Sequence, residues 1–365
     1  MYIYENPDWP KFSWSASDIQ PVLAKVAFAQ GKLLGKMNAI GFDVQNEQVL
    51  NSVSDEIIKS SEIEGSELNL EQVRSSVARH LDIKYTSSVN PSHYVDGIVQ
   101  MMVDAIRNYK KPLSTQRLFA WHSSLFPTGR SGMDEIDVGK FRSDKLGRMQ
   151  VISEMGTRKT VHYEAPKAAS IPSEVDNFLK WINSANPDLI SAAISHLWFV
   201  SLHPFDDGNG RITRAITELM LAKNEDSSLR FYSMSKQIEL NRKSYYDIIE
   251  QTQKGDMDIT KWLFWFLNTL SDAITSADKI SENLLSKARF WQNLANTDIS
   301  AGQRKLLNRL LDGFEGKMTS SRWANIRDCS QDTASREIND LLGKGILLKD
   351  GIGRSTHYLI NWHRE

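Results

Sequence analysis

The chain has 365 residues, 41% of them apolar and 24% charged, with a formal charge of −1. That length holds two or three domains with ample material for a core, and the near-neutral balance excludes a global basic footprint for nucleic acid. Its single cysteine, Cys329, excludes an intrachain disulfide and a cysteine-rich metal site.

The chain opens MYIYENPDWPKFSW, with early acids and no long apolar stretch, so no signal peptide is expected. Trp9 and Trp14 are expected to pack this segment on the body. Val49, Leu50, Val53, Ile57 and Ile58 recur at helical spacing and lead into SSEIEG at 60–65. Ser60 and Glu64, four apart, then share a helix face, and Gly65 suits a C-terminal cap. On its own this hexapeptide reads as a solvated acid at a helix end. Gly139, Lys140, Phe141 and Arg142 precede two short runs at 149–152 and 160–163, separated by Ser153, Glu154 and Gly156, which suits a β-hairpin. Pro166 and Pro172 punctuate a loop. Ser173 with Asp176 reads as a capping box for a helix burying Val175, Phe178, Leu179 and Ile182.

Pro187 and Asp188 open an apolar run in which Leu189, Ala193 and Leu197 lie four apart, as do Ile190, Ile194 and Trp198. Apolar residues around much of the circumference predict a central helix. Ile212, Ala215, Ile216, Leu219 and Met220 predict a second. Between them lies HPFDDGNGRITR, residues 203–214. This loop feeds a helix N-terminus, which presents unpaired N–H groups and the positive end of the dipole, a natural phosphate site. Gly208 and Gly210 allow close approach of backbone to an anion. Arg211 and Arg214 share a helix face, and guanidinium forks match phosphate oxygens. Asn209 can donate to a phosphoryl oxygen. Asp207 is a hard oxygen ligand suited to Mg²⁺ on phosphates. His203 is the group with an ordinary pKa near neutrality, hence the base. Phe205 is expected to plug the loop into the core. Asp206 reads as solvated or structural, and His196 as a satisfied core histidine.

Tyr245 and Tyr246 lie in NRKSYYDIIE at 241–250, and adjacent helix positions point about 100° apart. Trp262, Phe264, Trp265 and Phe266 read as core aromatics of the next helix. His162 and His357 fall in hairpins and are expected at the surface, and Cys329 in a buried apolar spot. Residues 301–365 resemble a winged helix-turn-helix. Leu306, Leu307, Leu310 and Leu311 mark one helix, 318–326 a second, and Ser330 caps a third that buries Ala334, Ile338, Leu341 and Leu342. Gly343 and Gly345 end it, and KDGIGRS turns a hairpin. Gln331, Thr333, Ser335 and Arg336 would face outward. Eleven Lys/Arg against eight Asp/Glu leave this region at +3, which admits either DNA or a protein as its partner.

The dodecapeptide matches the Fic family pattern HPFx(D/E)GNGRxxR at every specified position. The resemblance implies a mainly α fold: a Fic-type helical bundle with a β-hairpin flap, here followed by the winged-helix region. It implies an enzyme that binds ATP with Mg²⁺ and transfers AMP to a Ser, Thr or Tyr hydroxyl of a protein, releasing pyrophosphate. On that reading His203 takes the proton, Asp207 holds Mg²⁺, Gly208, Asn209 and Gly210 hold phosphoryl oxygens, and Arg211 and Arg214 grip the β- and γ-phosphates. Ser60, Glu64 and Gly65 fit the family's (S/T)xxxE(G/N) inhibitory motif, whose glutamate pairs with the second arginine, here Arg214, and blocks a productive γ-phosphate pose. The flap at 148–163 would bind the target protein by strand addition. Tyr245 or Tyr246 would contact the adenosine.

The resemblance orders the chain as an N-terminal helical region with the inhibitory helix at 1–90, the catalytic core at 91–280, a connecting helix at 281–300 and the winged helix at 301–365. Three alternatives stay open: removal of AMP with Glu64 positioning water, transfer of a different group such as phosphocholine, and an ATP-sensing DNA-binding regulator. Relatives that bind nucleotide in an inverted pose carry Lys where this chain has Gly210, which argues against that group. No apolar run approaches the roughly 18 residues of a membrane span, there is no Walker loop, and no repeat of about 20–50 residues is visible. A cytoplasmic protein without a membrane partner is expected, and a homodimer is left open.

Overall fold

In the computed structural model, which describes residues 1–87, 89–145, 147–155, 158–314 and 316–362, a short 3-10 turn at Ile3–Glu5 precedes α1 (Ala16–Asn38), α2 (Phe42–Ile63), α3 (Leu70–Leu81), α4 (His93–Arg107) and α5 (Thr115–Leu125). Two antiparallel pairs follow, β1 (Arg130–Ser131) with β2 (Asp134–Glu135) and β3 (Gln150–Met155) with β4 (Arg158–Glu164). Then come α6 (Ile171–Ser184), α7 (Leu189–Leu202), α8 (Asn209–Glu225), α9 (Met234–Leu240), α10 (Arg242–Gln253) and α11 (Thr260–Asn293). The chain ends in α12 (Ala301–Leu311), α13 (Ser320–Arg327), α14 (Gln331–Gly343) and the hairpin β5 (Leu347–Asp350) with β6 (His357–Ile360). The fold is mainly α and of the expected helical type.

Short polar side chains start many of these helices. Asn69, Ser92, Ser114, Asp188, Ser233, Ser300, Thr319 and Ser330 each accept a backbone N–H of the first turn, relieving donors that have no intrahelical partner. The chain divides into two compact units, 1–278 and 279–365, and the division falls within α11. In the first unit α7 is the central helix. Thirteen of its fourteen residues are buried, and α8, α6 and the N-terminal segment pack on it. In the second unit Leu306, Leu307, Trp323, Ile338, Leu341 and Ile346 form a separate core.

Several expectations need correction. Helix α6 starts at Ile171 with Pro172 in its first turn, and the Ser173 hydroxyl donates to the Ser170 carbonyl rather than capping. Ser153 and Glu154 do not turn the flap: they pair with Thr160 and Lys159 inside the β3–β4 ladder, because backbone pairing continues wherever both strands stay extended. Gly156 lies outside the described residues. Residues 281–293 continue α11 rather than forming a helix of their own. Phe264 is 53% exposed, on the opposite side of α11 from Trp262 and Phe266. Trp14 is exposed too, whereas Trp9 stacks edge-on against Trp198 and its indole N–H donates to Glu174. His357 is buried, bonded through Nδ1 to the Ser355 carbonyl.

Candidate active site

The loop between α7 and α8 is held from three sides. His203 is the last cap of α7, in left-handed conformation at φ 48°, a region costly for a non-glycine residue. Its N–H closes on Phe199, its carbonyl accepts from Arg142 Nε at 2.6 Å, and its Nδ1 lies 2.8 Å from the Val200 carbonyl. A carbonyl only accepts, so Nδ1 carries the proton, and the neutral ring keeps its lone pair on Nε2. Loss of solvent lowers the ring's pKa below the ordinary value, with the nearby Arg142 guanidinium adding to the effect. His203 is thus a neutral base with one free nitrogen.

Phe205 does plug the loop into the core: it is fully buried and stacks on the His122 ring at 4.3 Å. His122, from α5, accepts from the Gly139 N–H with Nδ1 and donates from Nε2 to the Asp207 carbonyl. It therefore ties the flap's stem to the acidic corner of the loop. Burial pushes its pKa down, so it serves as a neutral donor–acceptor. Arg142 is the second clamp. Besides His203 it reaches the Pro166 carbonyl at 2.6 Å and Asp144 at 3.1 Å. Arg142→Ala would leave the buried Pro166 carbonyl and the part-buried His203 carbonyl without this donor, at about 1–3 kcal/mol each. We expect the thermal midpoint of unfolding to fall by several degrees, and an unchanged midpoint would remove the clamp assignment.

The corner itself faces a cleft of about 450 Å³ lined by Glu64, Tyr94, Phe126, Arg130, Asp207 and Arg211, among others. Asp207 Oδ1 accepts from the Gly208 N–H, and Oδ2 accepts from the Ser131 hydroxyl. Arg211 lies over the Phe126 ring and donates to Tyr94 at 3.3 Å, while its Nε is buried without a partner. Asp206 accepts from the Asp137 N–H, a structural role. Asn209 closes the loop: its amide oxygen accepts from the Phe205 N–H and its amide nitrogen donates one N–H to the Phe205 carbonyl.

Gly208 opens α8 in left-handed conformation. Gly210 shows why a side chain is absent there. A Cβ at this position would lie 2.1 Å from Glu64 Oε1. Glu64 thus occupies the space beside Gly210 at the N-terminus of α8. Its Oε1 accepts from Arg214 Nη2 at 2.8 Å, and Arg214 also donates to the Ser60 hydroxyl and carbonyl. Burial alone would depress the Arg214 guanidinium; Glu64 outweighs it, and the net shift is upward. Arg214 Nη1 is buried without a partner. Glu64 itself is the C-terminal cap of α2, and Gly65 follows at φ 79°. The segment is thus a helix end closed by a capping glycine, and its glutamate is paired with Arg214 rather than solvated.

Tyr245 and Tyr246 diverge as the helix geometry requires. Tyr245 is buried, with its hydroxyl 2.9 Å from His196 Nε2. The Thr217 hydroxyl donates to the Thr213 carbonyl and so accepts from His196 Nδ1–H, leaving Nε2 to accept from Tyr245. His196 is the satisfied core histidine expected, its pKa lowered to about 3 by burial. Tyr246 is 39% exposed and donates to the Ile63 carbonyl at 3.1 Å. The flap is anchored at its base by Tyr163, whose hydroxyl donates to the Ser201 carbonyl, and by His162, paired with Glu250 of α10. Tyr2 packs edge-on against Tyr163, so the N-terminal segment braces that base.

His122, Arg142 and Ser131 are the residues missed from sequence. The signal for His122 was a polar residue on the apolar face of α5 beside Leu118, Trp121 and Leu125. Arg142 was visible only as the residue ending GKFR.

Residues 112–221 match the Fic/DOC family, and residues 2–83 match a domain of unknown function (DUF4172). A protein adenylyltransferase Fic of Nematostella vectensis is 31% identical over 98 residues, 25% of this chain and 21% of that protein. Its namesake in Aedes aegypti is 25% identical over 207 residues, 55% of this chain and 37% of the relative. The aligned parts thus span well under half of those relatives. A crystal structure of a Fic family protein from Desulfovibrio desulfuricans superposes over 98% of this chain and 99% of that one, with a TM-score of 0.56 and 19% identity. Among the described residues no helix is long and apolar enough to cross a membrane.

Proposed function

This chain is a Fic family protein, and from that premise we propose that it is an autoinhibited protein adenylyltransferase, moving AMP from ATP to a hydroxyl of a target protein. The observation that carries the reading is His203 with its free Nε2, set beside a helix N-terminus where Glu64 stands in the place of an anion on Arg214. The target oxygen attacks the α-phosphorus, its proton passes to His203 Nε2, and the bond to the β-phosphate breaks to release pyrophosphate. The amides at the start of α8 and the guanidinium of Arg211 stabilise charge on the phosphoryl oxygens. Phosphoryl transfer of this kind depends on positioning, and the clamps from His122 and Arg142 supply it.

Mg²⁺ fits the donor set present. Asp207 is a half-exposed carboxylate steadied by Ser131 and the Gly208 amide, and Mg²⁺ commonly takes one or two carboxylates plus phosphates and water. No cluster of three or more metal-ligating side chains is found among the described residues, and this mode needs none. When bound, Mg²⁺ would neutralise phosphate charge at Asp207.

The target would add as a strand to the β3 edge of the flap, since β4 is tied to α10 through His162. Three helices followed by a hairpin in the 279–365 unit, with Gln331, Thr333 and Arg336 exposed on α14, support a winged helix carrying a second partner.

The test is intact-mass and label analysis after incubation with Mg²⁺ and α-labelled ATP, alone and with lysate. Gain of one AMP on self or on another protein supports the reading. No label with wild type or with a brake-free variant sinks it. The base also predicts a pH profile. His203 works unprotonated and its pKa is depressed, chiefly by burial. The acidic limb of kcat/KM should therefore fall below the ordinary histidine value of about 6.5. A midpoint at or above that value would contradict the assignment.

A further inference from the structure

We infer that Tyr246 completes the C-terminal cap of α2 and so acts as a latch that holds Glu64 on Arg214. The inference rests on the autoinhibition reading and adds a residue from another helix to the brake. A helix leaves its last four carbonyls without intrahelical partners, and in α2 these belong to Ser60, Ser61, Glu62 and Ile63. Arg214 Nη2 takes the Ser60 carbonyl at 2.7 Å. The Ser66 N–H takes Ser61 at 3.0 Å and the Gly65 N–H takes Glu62 at 2.9 Å. Those two bonds, with Gly65 left-handed, are the paired closure of a Schellman motif. The Ile63 carbonyl, adjacent to Glu64, lies beyond that motif's reach. The Tyr246 hydroxyl supplies its partner at 3.1 Å.

The consequence is geometric. Glu64 lies outside the helix, at φ −88° and ψ 7°, so its carboxylate is placed by the peptide that joins it to Ile63. Fixing that peptide's oxygen fixes the direction from which Glu64 reaches across Gly210 to Arg214. Tyr246 belongs to α10, which also holds the flap strand β4 through Glu250 and His162. The brake is therefore fastened to the helix that carries the flap, and movement of α10 would loosen it. Tyr246 is a positioning residue here, acting through Glu64.

The test uses the full chain as wild type, Tyr246→Phe, Glu64→Gly and the double variant, each assayed for AMP transfer from α-labelled ATP. Phenylalanine keeps the ring and removes the hydroxyl. Tyr246→Phe should raise transfer about threefold to tenfold over wild type, the range set by loss of one net hydrogen bond, and should add no further rise on Glu64→Gly. Amide exchange at Glu64, Gly65 and Ser66 should quicken in Tyr246→Phe. If Glu64→Gly stimulates and Tyr246→Phe does not, the latch is overturned while the autoinhibition reading stands. A loss of transfer in both backgrounds overturns it as well and gives the hydroxyl to the nucleoside. If Glu64→Gly itself fails to stimulate, the autoinhibition reading fails; unchanged exchange at residues 64–66 would then overturn the cap too.

Discussion

His203→Ala should lower AMP transfer by about 10²–10⁴-fold, the usual contribution of a positioned general base, and leave ATP binding close to wild type. The separation follows from where each job is done. Proton transfer needs the one free ring nitrogen, since the other is committed to the Val200 carbonyl. On the proposed reading nucleotide retention falls to the α8 amides, Asp207 and the two arginines, whereas the His203 side chain bonds to the Val200 carbonyl. Alanine at φ 48° bears the left-handed cost of about 1–2 kcal/mol that histidine already carries, and His203→Asn is the companion variant, because asparagine tolerates left-handed backbone better. Calorimetric titration with ATP and a labelled-transfer assay on both variants decide the matter. Transfer retained by either variant, with ATP bound, would remove His203 as the base. Loss of both binding and transfer would indicate a collapsed loop instead.

What sequence could show here was whatever is local. Periodicity placed α7, α8 and the start of the loop, since each helix carries its own spacing and Asp188 caps its neighbour three residues on. Twelve contiguous residues held the proposed base, the acid and both arginines. Spacing also foresaw that Tyr245 and Tyr246 would point apart. The clamps were hidden for the converse reason. His122 meets Asp207 across 85 positions, Ser131 meets it across 76, and Arg142 meets His203 across 61. No periodicity links such residues, and only the folded chain makes them neighbours. The loop-closing role of Asn209 was also hidden, since only the folded turn brings its amide to the Phe205 N–H and carbonyl four residues back. Gly210 was read as room for an anion. The room is real, and a carboxylate of the chain itself fills it.

Glu64→Gly should raise transfer by roughly tenfold to a hundredfold. A hydrogen bond between charged groups contributes about 1.5–3 kcal/mol, and each 1.4 kcal/mol is a factor of about ten. The bond lost is the 2.8 Å contact from Arg214 Nη2, a guanidinium almost fully buried, to a carboxylate about one-third exposed. Solvent at the carboxylate end keeps the expectation from exceeding that range. Glycine suits the backbone at this position, so α2 keeps its end and Arg214 keeps both bonds to Ser60. What changes is the space above Gly210 and one donor of Arg214, the two features a γ-phosphate would use. ATP affinity should therefore tighten along with the rise in transfer, and the two together distinguish a released brake from a general loosening. A glutamate that instead positioned water for removal of AMP would give another pattern, in which label builds up on target only because its removal has stopped. Pre-labelled target separates the cases: wild type that strips AMP from it, where Glu64→Gly does not, would assign Glu64 to hydrolysis. Equal transfer by wild type and Glu64→Gly at matched ATP, with neither removing label, would leave the Glu64–Arg214 pair as a structural contact and end the autoinhibition reading.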